Sequence, residues 1–370
     1  MSEMISLYIH IPFCKSKCPY CDFYSKTANE SDYDQYTDIL IDKIKYWSNK
    51  TNKKVSTVYF GGGTPSVLGA DRLCNILLEI KKNFCICENA EITSEINPDT
   101  GKTIDFKKLY ECGFNRISIG LQSAVDKELE MLGRIHTLND TKLTVERARL
   151  AGFNNISLDL MMGVPYQTEK SLKKSIDFCN ECDVTHISSY ILKIEENTRF
   201  YELKDSLMFA DEDKQANLYL YAVNYLEKLG FEQYEISNFA KKGFESKHNS
   251  NYWKCNEYIG IGPSAHSFFS GKRFYYGRSI EDFAKNIIID DGTGGNEEEF
   301  IMLSLRLKSG LCFGEYEKIF GSSIPLSFIN KANLYEKAGF MKIDDDRIYF
   351  TAKGYLVSNT IISELLSLLQ

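Results

Sequence analysis

Leu7-Tyr8-Ile9-His10-Ile11-Pro12-Phe13-Cys14-Lys15-Ser16-Lys17-Cys18-Pro19-Tyr20-Cys21 joins a short apolar strand to three thiols spaced C-x3-C-x2-C. No fourth cysteine stands beside them. A 4Fe–4S cube has four iron corners, and a structural site ties each to a thiolate. Three thiolates leave one iron open, and an open coordination position separates reactive metal sites from closed ones. Zinc is the competing reading. His10 lies four residues before Cys14 and is of the right type for a fourth ligand, although in an alternating strand it need not turn toward the cysteines.

Working outward from the cysteines, hydrophobic periodicity predicts a helix over 31–49, with Ser31 as its N-cap, and a strand over 55–60. Helix 71–84, strand 90–96, helix 105–112 and strand 116–120 follow. Then come helices 125–132 and 139–151, strand 156–161, helix 168–182 and strand 186–192. Six strands alternating with helices are the signature of parallel β/α units, and right-handed crossovers curl such units into a partial barrel. The chemistry of such barrels gathers at the C-terminal mouth. The unusual residues fall there: the cysteines after strand one, Gly61-Gly62-Gly63-Thr64-Pro65 after strand two, Glu95 closing strand three, Gln122 after strand four and Asp159 late in strand five.

A further helix over 211–230 and a strand over 231–236 are expected before the pattern changes. Lys247 to Trp253 is polar and aromatic, and 258–267 is glycine-rich. Asp290-Asp-Gly-Thr-Gly-Gly-Asn296 reads as a linker. Beyond it come helices over 297–308, 313–320 and 325–338, a hairpin over 341–350 about Asp344 to Asp346, and a last helix from Thr351. Helices followed by a hairpin suggest a winged-helix-like domain. The fold class is therefore α/β: a partial (β/α)6 barrel over 1–235, a sheet extension with extra strands over 236–290, and a small C-terminal domain over 291–370.

Composition narrows the function. With 370 residues, 26% of them charged and a net charge of −7, the chain carries no basic field for a phosphate backbone, which argues against nucleic acid. The C-terminal 296–370, with eight basic and ten acidic residues, points the same way. The opening Met-Ser-Glu-Met-Ile has no basic n-region, so no signal peptide is expected. No apolar run reaches the roughly 18 residues of a membrane span. Eleven cysteines without a leader suggest a reducing cytoplasm. Cys85-x-Cys87 and Cys179-x-x-Cys182 have metal-like spacing, but free cysteine is commonly a small buried hydrophobe, and no second cluster is expected.

The glycine triplet is followed by no Gly-Lys-Ser/Thr, so it is not a phosphate loop. It is either a tight turn or a place where bare backbone approaches a ligand. Glu95 is either an exposed strand-end carboxylate or, beside a nucleoside, an acceptor for ribose hydroxyls. Gln122, Arg134 and Asp159 are either surface or core-rim groups or, together, an amide, a fixed cation and a carboxylate able to hold a zwitterionic amino acid and a ribose.

The cysteine spacing resembles the radical S-adenosylmethionine (SAM) superfamily. Tyr8-Ile-His-Ile-Pro-Phe-Cys14, Gly61 to Pro65, Ser94-Glu-Ile-Asn-Pro98, Gly120-Leu-Gln122 and Asp159-Leu resemble the oxygen-independent coproporphyrinogen III oxidase family along nearly the whole chain. The resemblance implies a 4Fe–4S cluster on Cys14, Cys18 and Cys21 and as many as two SAM molecules. Tyr8, Gly62 and Glu95 match groups contacting the cluster-bound SAM. Tyr20, Gly63, Thr64, Gln122, Arg134 and Asp159 match groups contacting a second. The oxidase branch carries one more cysteine, where this chain has Phe23. Cys21-Asp-Phe-Tyr-Ser25 and His248-Asn-Ser-Asn-Tyr-Trp253 are similar instead to the heme-chaperone branch.

A neutral imidazole is a standard axial ligand for heme iron, and Tyr252 and Trp253 suit stacking on a porphyrin. A solvent-facing loop histidine is the plainer reading of His248, and His266 is a competing ligand. The expectation is a cytoplasmic heme chaperone with no membrane span, passing heme to an acceptor apoprotein that is either free or membrane-associated. The alternative is a coproporphyrinogen III oxidase. No residue is assigned a catalytic role.

Overall fold

The computed structural model describes residues 3–369; Met1 and Ser2, part of the stretch read as lacking a leader, lie outside it. Six parallel strands follow one another in order: β1 (Met4–Ile11), β2 (Lys54–Gly62), β3 (Ile86–Ile96), β4 (Arg116–Gln122), β5 (Asn155–Met162) and β6 (His186–Ile191). Leu7, Ile9 and Ile11, with Val58 and Phe60, are fully buried in the main core. The alternate residues, Ser6, Tyr8 and His10 with Thr57, Tyr59 and Gly61, share the opposite, inner face. On that face stand Glu91, Thr93, Glu95, Arg116, Ser118, Ser157, Asp159, His186 and Ser188.

The sheet does not close. On the β6 side, β8 (Asn238–Ala240) and β7 (Glu232–Gln233) add antiparallel. On the β1 side, β9 (Tyr258–Ile261) pairs parallel to β1, and β10 (His266–Phe269), β11 (Lys272–Tyr276) and β12 (Ile288–Thr293) continue antiparallel. The result is an open, twelve-stranded partial barrel with the expected extra strands. A separate sheet, β13 (Leu311–Cys312), β15 (Arg347–Phe350) and β14 (Met341–Ile343), packs with helices Phe313–Phe320, Leu326–Lys337 and Ser358–Leu366 into the small C-terminal domain.

Several boundaries move, each for a local reason. The first helix, Glu30–Ser48, is capped by Asn29 and not by Ser31: Asn29 Oδ1 accepts from the Asp32 N–H, and Asp32 Oδ2 accepts from the Asn29 N–H. The expected linker over 290–296 is mostly β12, because Phe274, Tyr275 and Tyr276 supply an open ladder for it. The sheet therefore runs past the boundary expected at 290/291. The strand expected over 231–236 shrinks to Glu232–Gln233. Tyr234 and Ile236 bond instead to Lys308 and Arg306 in backbone, and the helix expected over 297–308 ends at Ser304, before these two residues.

Candidate functional site

At the mouth, the segment after β1 carries Cys14, Cys18 and Cys21, each half-buried and free of disulfides. It is tied back by Phe13 opposite Lys26 and by the Cys14 N–H donating to Lys26 O at 3.0 Å. Cys14 Sγ lies 3.4 Å from Thr64 Oγ1, and Arg134 Nη1 donates to Cys18 Sγ at 3.5 Å. Burial pushes the Cys14 and Cys21 thiols up, the latter to about 11. Among the described residues, no three His, Cys, Asp or Glu converge on one metal-ion position. Three free, half-buried thiols on one segment are a donor set of the kind a multi-iron cluster takes, each thiolate on its own iron.

His10 is not a fourth ligand. It is 3% exposed, Nε2 donates to Tyr24 O at 3.0 Å, and Nδ1 then accepts from Tyr8 OH at 3.1 Å. Burial pushes its pKa down to about 4. The ring is also why position 62 is glycine: a Cβ there would lie 2.6 Å from the imidazole, and φ is +110°. A Cβ on Gly63 would lie 2.5 Å from Phe13 O. The Gly63 and Thr64 N–H groups donate to Ile11 O and Phe13 O at 2.8 and 2.7 Å. The triplet thus lets the cysteine segment press onto β2. With these donors spent, what the loop retains is acceptor capacity.

Glu95 stands inside the mouth. Its Oε1 accepts from Tyr59 OH at 2.8 Å, and the carboxylate also takes the Gly62 N–H. Burial raises its pKa to about 8, opposed by those two bonds. Asp159, raised by burial, accepts from Ser118 Oγ at 3.1 Å and from Ser188. Arg134 is a strut between elements of the mouth. Nη2 donates to Gly120 O at 2.9 Å and Asn97 Oδ1 at 3.0 Å, Nη1 also reaches Tyr20 OH at 3.5 Å, and Nε has no partner. Gln122 ends β4 at φ +70° with its amide beside Gly120 and Arg134. The mouth thus gathers Tyr8, Tyr20, Gly62, Gly63, Thr64, Glu95, Gln122, Arg134 and Asp159 with the three cysteines.

His248 is elsewhere. It lies on the helix Lys247–Trp253, docked across the early residues of the strands, at the opposite end from the cysteines. It is 1% exposed, with Nδ1 2.7 Å from Thr57 Oγ1 and Nε2 2.7 Å from Tyr252 OH. Burial pushes its pKa down to about 3. This corrects the solvent-facing loop reading, and in this conformation both ring nitrogens are hydrogen-bonded. Glu91 accepts from the Lys247 and His248 N–H groups at 3.1 and 3.0 Å, Asn251 Nδ2 donates to Ser6 Oγ at 2.9 Å, and Trp253 bonds to Glu235. His266 is exposed on β10 and stacks on Tyr275, ring centroids 4.7 Å apart.

Sequence reasoning missed Tyr59, Thr57 and Glu91. Tyr59 stacks on His248 at 5.0 Å while bonding Glu95, so it touches both regions. The period-two alternation of β2 and β3, which puts Thr57 and Tyr59 with Gly61 and Glu91 with Glu95, carried the signal.

The Radical SAM superfamily model matches residues 8–179, and the HemN C-terminal domain model matches 298–357. The chain is 34% identical to the heme chaperone HemW of Bacillus subtilis, across 98% of this chain and 99% of that one. It is 37% identical to the heme chaperone HemW of Escherichia coli, across 71% and 69%. In fold it resembles the coproporphyrinogen III oxidase of Escherichia coli, with a TM-score of 0.82 at 20% identity over 98% of this chain and 89% of that one.

Proposed function

The chain belongs to the family of the HemW heme chaperones, within the radical SAM superfamily, and from that premise we propose that it binds heme and passes it to an acceptor apoprotein. The observation that carries this reading is similarity to curated heme chaperones from end to end, together with Phe23 where the resembling oxidases have a cysteine. Phe23 is 67% exposed beside the cluster segment, a surface position with no donor to offer iron.

Superfamily membership implies a 4Fe–4S cluster and SAM. Cys14, Cys18 and Cys21 would hold the cluster, leaving one iron for a chelating ligand. When bound, the pair supplies one-electron chemistry at the barrel mouth. Tyr8, Gly62 and Glu95 would border the SAM on that iron. Tyr20, Gly63, Thr64, Gln122, Arg134 and Asp159 would border a second. The protein's own part is to fix the carboxylates in a dry mouth and to keep Arg134 against both Cys18 and the end of β4.

His248, Tyr252 and Trp253 would take the heme once the helix that carries them lets go of the barrel floor. Among the described residues no helix is long and apolar enough to cross a membrane. The eleven cysteines, none in a disulfide, support a cytoplasmic setting. The test is anaerobic hemin titration of the cluster-loaded chain, followed by mixing with an apo-hemoprotein. Stoichiometric uptake and handover are expected, and no uptake would overturn the reading.

A further inference from the structure

A heme ligand buried at the floor of the barrel raises a problem of access. Both ring nitrogens of His248 are hydrogen-bonded, so the ring has no lone pair for iron until a bond breaks. The helix bearing it is held by a discrete set of contacts from Glu91, Thr57, Ser6 and Glu235. Releasing this helix would break a small, countable set of bonds and leave the sheet beneath it in place.

Tyr59 spans the distance between this latch and the mouth, beside the Tyr8 ring, whose centroid is 6.5 Å from that of His248. The Tyr59 ring stacks on His248, centroids 5.0 Å apart and planes 23° apart, and lies 6.3 Å from the Tyr8 ring. Its hydroxyl donates to Glu95 Oε1 at 2.8 Å. A tyrosine cannot satisfy these two contacts independently, because ring and hydroxyl move as one plane.

We propose that Tyr59 is the positioning residue through which nucleoside occupancy at Glu95 controls the docking of His248. The proposal rests on the heme- and SAM-binding readings above. Ribose hydroxyls draw on Glu95 as an ionised acceptor. An ionised carboxylate binds the Tyr59 hydroxyl through a charge-assisted bond, roughly twice as strong as a neutral one. That bond pins the Tyr59 ring, and the pinned ring stabilises His248 in its docked place. Nucleoside therefore opposes heme uptake, and by linkage heme opposes nucleoside binding by the same factor. Nucleoside arriving on a heme-loaded chain acts to expel the heme.

The test titrates the cluster-loaded full chain with hemin, with and without SAM, by Soret absorbance. SAM should raise the hemin Kd by about fivefold or more in the unmodified protein. The shift should fall below about twofold in Tyr59→Phe, which keeps the ring and loses the hydroxyl. Hydrogen exchange at the Lys247 and His248 amides, without hemin, should slow on adding SAM in the unmodified protein and not in Tyr59→Phe. Hemin affinity that ignores SAM or rises with it overturns the proposal, as does a Tyr59→Phe protein with the full SAM effect. Should Tyr59→Phe fail to fold, Thr57→Val takes its place. It removes only the bond to His248 Nδ1, so hemin should bind more tightly, and unchanged or weaker binding overturns the proposal. A chain that takes up no hemin overturns the heme reading instead, while SAM-dependent exchange at the two amides still tests the coupling.

Discussion

Arg134 Nη1 donates to the Cys18 sulfur at 3.5 Å from a side chain anchored on Gly120 O and Asn97 Oδ1. A fixed cation beside a cluster thiolate stabilises the more negative, reduced state, since hydrogen bonds and charge near the sulfurs set cluster potentials. Arg134→Met should lower the reduction potential by on the order of tens of millivolts. Arg134→Lys should recover part of the shift, keeping charge without the fork. Potentiometric titration followed by electron paramagnetic resonance reads both.

Cys18→Ala should abolish the cluster, because two thiolates do not replace three. Cys179→Ala should retain it, since Cys179 is fully buried among core residues and belongs to no ligand group. Iron and sulfide content after anaerobic reconstitution decides. A brown, iron-loaded Cys18→Ala protein would contradict the ligand assignment.

Stability should fall between pH 6.5 and 8 in protein free of cluster and SAM. Burial raises Glu95 from 4.5 to about 8 and Glu235 to about 7. Above pH 4.5 the unfolded chain has released these protons and the folded chain has not, so rising pH favours unfolding through the folded values. Each proton held is worth at most about 1.4 kcal/mol per pH unit. The buried histidines act on the other side. His10 and His136, lowered to about 4 by burial, withdraw stability as pH falls from 6.5, so they do not mask the alkaline limb. Tyr59, Asp159, Arg116 and Gly62 face Glu95 and set its value. Glu95→Gln should flatten the slope in urea denaturation at pH 6.5, 7.25 and 8; an unchanged slope would count against a neutral Glu95.

The alternation of strands and helices was legible because a parallel barrel repeats it six times, and one misplaced boundary leaves the rest standing. The place of the three cysteines at the mouth was legible from their position just after the first strand. The environment of His248 was not. Its six-residue motif says which groups are present, while Thr57, Glu91 and Tyr252 decide whether the ring is offered or hidden, and Thr57 lies 191 positions away along the chain. What packs against the glycine triplet was not legible either. The space its missing side chains leave is filled by His10 and the Phe13 backbone, a contact made only once β1 lies on β2.

Coproporphyrinogen III should yield no vinyl product with the cluster-loaded protein, SAM and a reductant. The resemblance assigns the extra cysteine to the oxidase branch, and Phe23 stands there. Phe23→Cys should not create turnover by itself, because the His248 to Trp253 stretch, similar to the heme-chaperone branch, remains. Product analysis by chromatography reads the result, and robust protoporphyrinogen formation would replace the chaperone reading by the oxidase one.

Glu91→Ala should weaken the fold and tighten hemin binding together. Glu91 is 5% exposed, and its carboxylate accepts from the Lys247 and His248 N–H groups, so removal leaves two donors without partners. Unsatisfied buried groups cost about 1–3 kcal/mol each, and the loss falls on the docked helix. Arg116, 2% exposed with Nε unpartnered, also loses its neighbouring counter-charge. If hemin needs the helix undocked, the apparent Kd is the intrinsic one divided by the undocked fraction. Destabilising the docked state by about 2 kcal/mol then raises that fraction up to about thirtyfold while it is still small. Glu91→Gln, which keeps one acceptor oxygen, should fall between. Lower Tm with tighter hemin binding is a pair of opposite signs that general damage to the fold does not produce. Lower Tm with weaker binding would mean that His248 meets iron from its docked position.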